Sequence, residues 1–218
     1  VQQNAKVRCC DDAKKAQHNK ATARHEKLLA ESADFPARAA ACLRRAAKAR
    51  AGMSGAEPRR LHVVSGTDDM ADAYRHVPCA TPQYTVFSLW SSELGRAVFF
   101  TLPGFNFGLA SAVPQFNRLP ELFTAVARTL LHVVCCHYFD DFNVTEPVWA
   151  ATSGQRVLGE LLRVIGFPFS AAKHISVGPE VVFLGVVSSF EKFEELGLVA
   201  MSVKPARIEK LVQGFDEV

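Results

Sequence analysis

The sequence predicts an α+β fold: an antiparallel sheet with helices on one face, preceded by a basic helical arm. Three features carry that expectation. Short β-type runs come in pairs separated by turn residues, and two longer stretches carry apolar residues at helical spacing. The order is strand, hairpin, helix, hairpin, helix and further strands, not the strict alternation of a doubly wound parallel sheet. Charge sets the arm apart. Residues 1–60 hold 14 Lys/Arg against 6 Asp/Glu, a balance of +8, while the rest of the chain carries −5. Phe35 is the only Phe, Tyr or Trp before position 61. The expected organisation is therefore an arm over 1–58 and a globular body over 59–218.

In the arm, Leu28, Leu29 and Leu43 among many alanines support short helices around 12–31 and 36–51, and 52–58 reads as a linker. Such a segment is a solvated helical or partly disordered lead-in, or a basic track for a phosphate backbone. The body opens with a strand at Leu61–Val64 that ends in a turn over 65–69. A short helical turn at 71–75 follows, and Pro78 and Pro82 interrupt regular structure. Runs 84–90 and 97–102 form a hairpin signal. Ala112, Val113, Phe116, Leu119, Leu122, Phe123, Val126 and Leu130 recur at helical spacing, with Pro120 expected to kink or divide the helix.

Next comes an acidic hairpin with Asp140 and Asp141 at its tip. Beyond it lie an amphipathic helix over 149–165, strands at 173–177, 181–187 and 198–203, and a short helix over 205–212. No apolar run is long enough to span a bilayer and no signal segment is visible. Six cysteines occur without a CxxC pair, which suits a reducing compartment. An intracellular protein, cytoplasmic or nuclear and without a membrane partner, is expected.

The stretch His137-Tyr138-Phe139-Asp140-Asp141-Phe142 carries the chemistry. Adjacent carboxylates resist ionising together, so an acidic tip beside buried strands calls for a cation, and hard divalent ions such as Mg²⁺ take carboxylate oxygens. Asp69 stands at the end of the first strand of the body. If the two strand ends are neighbours, Asp69, Asp140 and Asp141 form one acidic cluster. Two ions roughly 3.5–4 Å apart there would clamp the attacking and leaving oxygens of a phosphoryl transfer.

At these residues the chain resembles the reverse transcriptases of retroelements. Asp69-Met70-Ala71-Asp72-Ala73-Tyr74 is similar to their first catalytic motif, and Tyr138-Phe139-Asp140-Asp141 to their YxDD hairpin. Between them, Leu102-Pro103 and 107–112 resemble the glycine-bearing loop and helix under the template–primer. After them, 166–173 resembles the segment that carries a lysine, and Phe183-Leu184-Gly185 the primer grip. The order agrees from Asp69 to Gly185.

That resemblance implies a right-hand palm with partial fingers, acting as an RNA-directed DNA polymerase with two Mg²⁺ ions, Mn²⁺ being a possible substitute. Its partners would be an RNA or DNA template with primer and deoxynucleoside triphosphates. Asp69, Asp140 and Asp141 would be metal ligands, and Lys173 would neutralise or protonate the departing pyrophosphate. Asp72, Ala73, Tyr74, Phe107 and Gly108 would bind the nucleotide, with Tyr74 the gate against a ribose 2′-OH. Phe107 stands where retroviral relatives have Gln, and Val113 where many have Pro. Residues 1–60 hold no match to the basic residues of the fingers. Asp68 and Asp72 remain alternative ligands. Two other readings stay open: a catalytically inactive nucleic-acid-binding remnant, and an RNA-dependent RNA polymerase palm.

Overall fold

The structure is a computed structural model that describes residues 2–3, 6–7, 17–21, 28, 30–55, 60–105, 108–205 and 207–209. The chain divides into two compact units, Val1–Leu29 with Asp72–Pro120, and Ala30–Ala71 with Glu121–Val218. Both are built from antiparallel strands and helices, so the class is mixed α+β. The elements begin with strands β1 (Gln2–Gln3) and β2 (Lys6–Val7), helix α1 (Phe35–Ser54), and β3 (Val63–Asp69). A hairpin of β4 (Val86–Ser91) and β5 (Arg96–Thr101) follows, then α2 (Ala112–Thr129). The acidic hairpin is β6 (Cys135–Tyr138) with β7 (Asp141–Pro147), and α3 (Ser153–Val164) comes next. The described chain then continues through β8 (Ile175–Gly178), β9 (Glu180–Phe183), β10 (Val186–Ser189), α4 (Phe193–Leu196) and β11 (Ala200–Val203).

In the unit that holds the acidic hairpin, one sheet has the order β6-β7-β3-β8 and a second the order β11-β10-β9, with antiparallel pairing throughout. β3 runs longer than its apolar start implied. Its second half is polar, and the polar side chains are buried because they meet one another. Asn143 donates to Ser65 Oγ at 2.9 Å and to the Gly66 carbonyl at 3.1 Å, and Thr145 donates to Asn143 Oδ1 at 3.1 Å. All three side chains are fully enclosed. A one-residue slip of β3 on β7 would strand these groups, so the ladder fixes the pairing.

Successive strand residues face opposite sides. On one side of the sheet, His137 meets Thr124 of α2 at 2.8 Å, and Glu146 accepts the Gly154 amide of α3 at 2.8 Å. On the other side, Cys136 packs with Phe35 and Ala39 of α1 and with Phe183 of β9. A second cluster joins Ala40 to Val63, Val181, Phe190 and Phe193. Helices therefore cover both faces, which corrects the expectation of helices on one face. Helix α1 lies within the stretch read as a basic arm, yet Phe35, Ala39 and Ala40 belong to this core. The rest of 1–29 is largely outside the described residues.

Pro120 neither ends nor splits α2, which runs through it. In the other unit β4 and β5 pair in register from Val86↔Thr101 to Ser91↔Arg96, as the hairpin signal implied. No helix among the described residues is long and apolar enough to cross a membrane.

Candidate functional site

The register of β3 on β7 sets Asp69 opposite Asp141, and Tyr138 of β6 is opposite Asp141 on its other side. Asp140 and Asp141 are not both at the tip. The tip is Phe139-Asp140, while Asp141 is the first residue of β7. Phe139 takes φ 55°, the left-handed region that a bulky side chain rarely adopts, and its ring meets Tyr138 edge-on. The turn is tied down by its backbone, since the Met70 amide donates to the Asp140 carbonyl at 2.8 Å. On the opposite side of β3, the Ser170 amide donates to the Asp69 carbonyl at 2.8 Å. Asp69 is thus clamped between the acidic hairpin and the segment that leads to Lys173.

Lys173, in a 3-10 turn at Ala171–Lys173, is half-exposed and directs Nζ onto Asp69 Oδ1. The Asp141 carboxyl hydrogen-bonds Asp69. Burial, that hydrogen bond, and the charges of Asp140 and Asp69 together push the Asp141 pKa up to about 7, against the pull of Lys173. Asp69, Asp141, Lys173, Phe183, Leu184 and Gly185 all line one cavity of about 240 Å³. Leu184 and Gly185 form a tight turn between β9 and β10, with φ of 51° and 81°. Glycine suits such a turn, where two consecutive residues need positive φ.

The three aspartates do not make a finished cage. Among the described residues no group of three or more His, Cys, Asp and Glu side chains is arranged to hold a metal ion. Asp140 sits in the turn, outside the strand register that joins Asp69 to Asp141, and bears on Asp141 through its charge. The oxygen-only donor set nonetheless fits a hard divalent cation. Two carboxyl groups in contact, one of them keeping its proton near neutral pH, are a pair that lacks enough positive charge.

The remaining site residues read from the sequence fall in the other unit. Asp72 is left-handed at φ 46° and its carbonyl accepts the Arg75 amide at 2.7 Å. Ala73 is buried, and Tyr74 stacks on Phe116 with ring centroids 4.4 Å apart. The Gly108 carbonyl accepts from Asn19 Nδ2 at 2.9 Å. Phe107 lies outside the described residues.

No protein-family model and no curated protein matches the chain. A solved structure does. The foamy viral protease–reverse transcriptase in complex with double-stranded DNA superposes with a TM-score of 0.51 at 18% identity, over 70% of this chain. The likeness is one of fold. This chain spans 24% of that protein's length, so the match is to a fragment of it.

Sequence reading missed what lies behind the sheet. Asp68, one residue before Asp69, points to the α3 side and is almost fully buried. Its Oδ2 accepts from Gln155 Nε2 at 2.9 Å, and its Oδ1 accepts from His174 Nδ1 at 2.7 Å. Gln155 falls at i, i+3 and i+7 with Leu158 and Leu162, a polar residue on an apolar stripe, and that was the available signal.

Proposed function

We propose that this chain is the palm, with part of the fingers, of an RNA-directed DNA polymerase that extends a primer 3′ end with deoxynucleotides. One observation carries the reading: Asp69 and Asp141 are paired across adjacent strands, with Lys173 on Asp69, in a cavity walled by the 183–185 turn. The fold likeness to a reverse transcriptase fragment supports it. That protein is in complex with double-stranded DNA, which supports nucleic acid as the partner, and a template–primer duplex is the form this reading requires.

Asp69 and Asp141 would hold Mg²⁺, or Mn²⁺ in its place, with Asp140 beside them as the third carboxylate. When bound, such ions neutralise the reacting phosphate and lower the pKa of the attacking hydroxyl. Asp141 would serve as a ligand in its deprotonated form. Lys173 leaves Asp69 for the departing pyrophosphate, where an ammonium offsets the charge that develops. Phe183, Leu184 and Gly185 form the wall against which the primer end would rest. Asp72 and Ala73 would lend amides to the triphosphate. Tyr74 would exclude the 2′-OH, and Phe107 with Gly108 would let the chain approach the nucleotide.

Primer extension on an RNA template with Mg²⁺ tests this. Asp69→Asn, and Asp140→Asn combined with Asp141→Asn, should each lower the rate about a thousandfold, equivalent to several kcal/mol of barrier. Unchanged rates would remove the catalytic assignment. The lack of a finished three-carboxylate group among the described residues favours one rival, a nucleic-acid-binding remnant without catalysis. That rival predicts salt-sensitive binding of the duplex and no extension even with Mn²⁺.

A further inference from the structure

Strand β8 does not pair evenly with β3. Ser65 is opposite Gly178 and Thr67 is opposite Ile175, so two steps along β3 match three along β8. The extra residue is a bulge, which leaves backbone groups without a ladder partner and shifts the phase of the side chains. Gln155 of α3 fills it. Its Nε2 donates to the Ile175 carbonyl at 2.9 Å and its Oε1 accepts the Val177 amide at 3.1 Å. The same Nε2 reaches Asp68. Space for this exists because residue 66 is glycine. A Cβ there would stand 2.7 Å from the Ile175 carbonyl oxygen, 2.8 Å from the Val177 nitrogen and 3.0 Å from Gln155 Nε2.

The phase matters because two acids face two bases. Asp68 and Asp69 are neighbours on β3, and Lys173 and His174 are neighbours at the entry to β8. As built, Lys173 meets Asp69 on the cavity side, and His174 meets Asp68 on the α3 side, with His174 Nε2 3.0 Å from Ser176 Oγ. A slip of β8 by one residue would exchange the sides and turn His174 toward Asp69. We propose that Gln155 is a positioning residue: by filling the bulge of β8, with Gly66 making room and the Asp68–His174 pair bracing it, Gln155 decides that lysine and not histidine is presented to Asp69. Its consequence for polymerisation rests on the function proposed above, whereas the register itself does not.

Two readouts keep those apart. Reductive methylation of the full chain, followed by mass spectrometry, reports how firmly Lys173 Nζ is held, with exposed Lys48 and Lys192 as internal references. Gln155→Ala should speed Lys173 methylation about tenfold, leaving the references unchanged, because a charge-assisted contact is lost. His174→Ala is the second variant, at a half-exposed position that should not prevent folding. It should speed Lys173 about threefold. His174→Asn, which keeps a donor for Asp68, should restore the wild-type rate. A Lys173 rate unchanged in the alanine variants, or equal in His174→Ala and His174→Asn, overturns the proposal. In primer extension, Gln155→Ala should lower kcat and leave the KM for deoxynucleotide near its wild-type value. A fall in kcat no larger than the loss of folded protein in the same sample would mark a merely structural role and also overturn it. If the wild-type chain extends nothing, the polymerase reading fails while the methylation result still decides the register.

Discussion

Asp141 and His137 lie on one hairpin and titrate in opposite senses. Asp141 holds its proton up to about pH 7 when folded, against an ordinary carboxyl value of 3.8. The folded state binds that proton more tightly, so the contribution to stability is fully present below 3.8 and is lost as pH rises through about 7. Burial lowers the His137 pKa from 6.5 to about 4, so His137 favours the folded state above 6.5 and costs stability as pH falls toward 4. Between about 4 and 6.5 the two partly cancel. Melting curves without divalent ions should therefore rise with pH for Asp141→Asn and fall with pH for His137→Gln, the wild-type curve lying flatter than either. Parallel curves for all three would count against this account. The aspartates were legible from the sequence because a paired acid is rare beside apolar strands. Asp68 stayed an alternative ligand, since nothing local says which of two adjacent acids turns to Lys173 and which to His174. That is decided by register, a property of strand pairing.

Helix α1 and strand β8 show where element-level reading stopped short. α1 has five basic residues and a stripe of alanines, which looks like a solvated lead-in. Its alanines are small rather than absent from the core, and they let the helix backbone approach the sheet while Phe35 fills the space beside Cys136 and Phe183. Phe35→Ala should lower unfolding free energy by about 3 kcal/mol, read from urea titration. A basic arm that packs on nothing would give a change within the surface range of about 0.5 kcal/mol. An isolated glycine inside a strand is a sign of close approach, and Gly66 is such a case. Gly66→Ala forces a methyl against the backbone of β8 and should destabilise by about 1–3 kcal/mol in the same measurement. Near-neutral behaviour would mean that β8 stands further off than described. The acidic hairpin and the β4–β5 hairpin were readable because their turns and flanking strands are contiguous in sequence.

The unit that holds the site is stitched together by contacts between distant parts of the chain. Asn143 bonds Gly66 from 77 positions away, and Lys173 reaches Asp69 from 104 positions away. The stretch from Asp72 to Pro120 belongs to the other unit, so the two central strands of the site-bearing sheet are separated by an excursion into it. Sequence order alone could not reveal that arrangement, because an insertion of this kind leaves the local strand and helix signals of both units intact. There is a kinetic corollary. Closing a long loop costs conformational entropy before any pairing repays it, and chains dominated by such contacts fold slowly. The expected order is therefore nucleation at the local hairpins, with the meeting of Asp69 and Asp141 late. On the metal-binding role proposed above, a chain that has not completed this docking would keep Asp69 apart from Asp141, so capture of a divalent ion would report that step of its maturation.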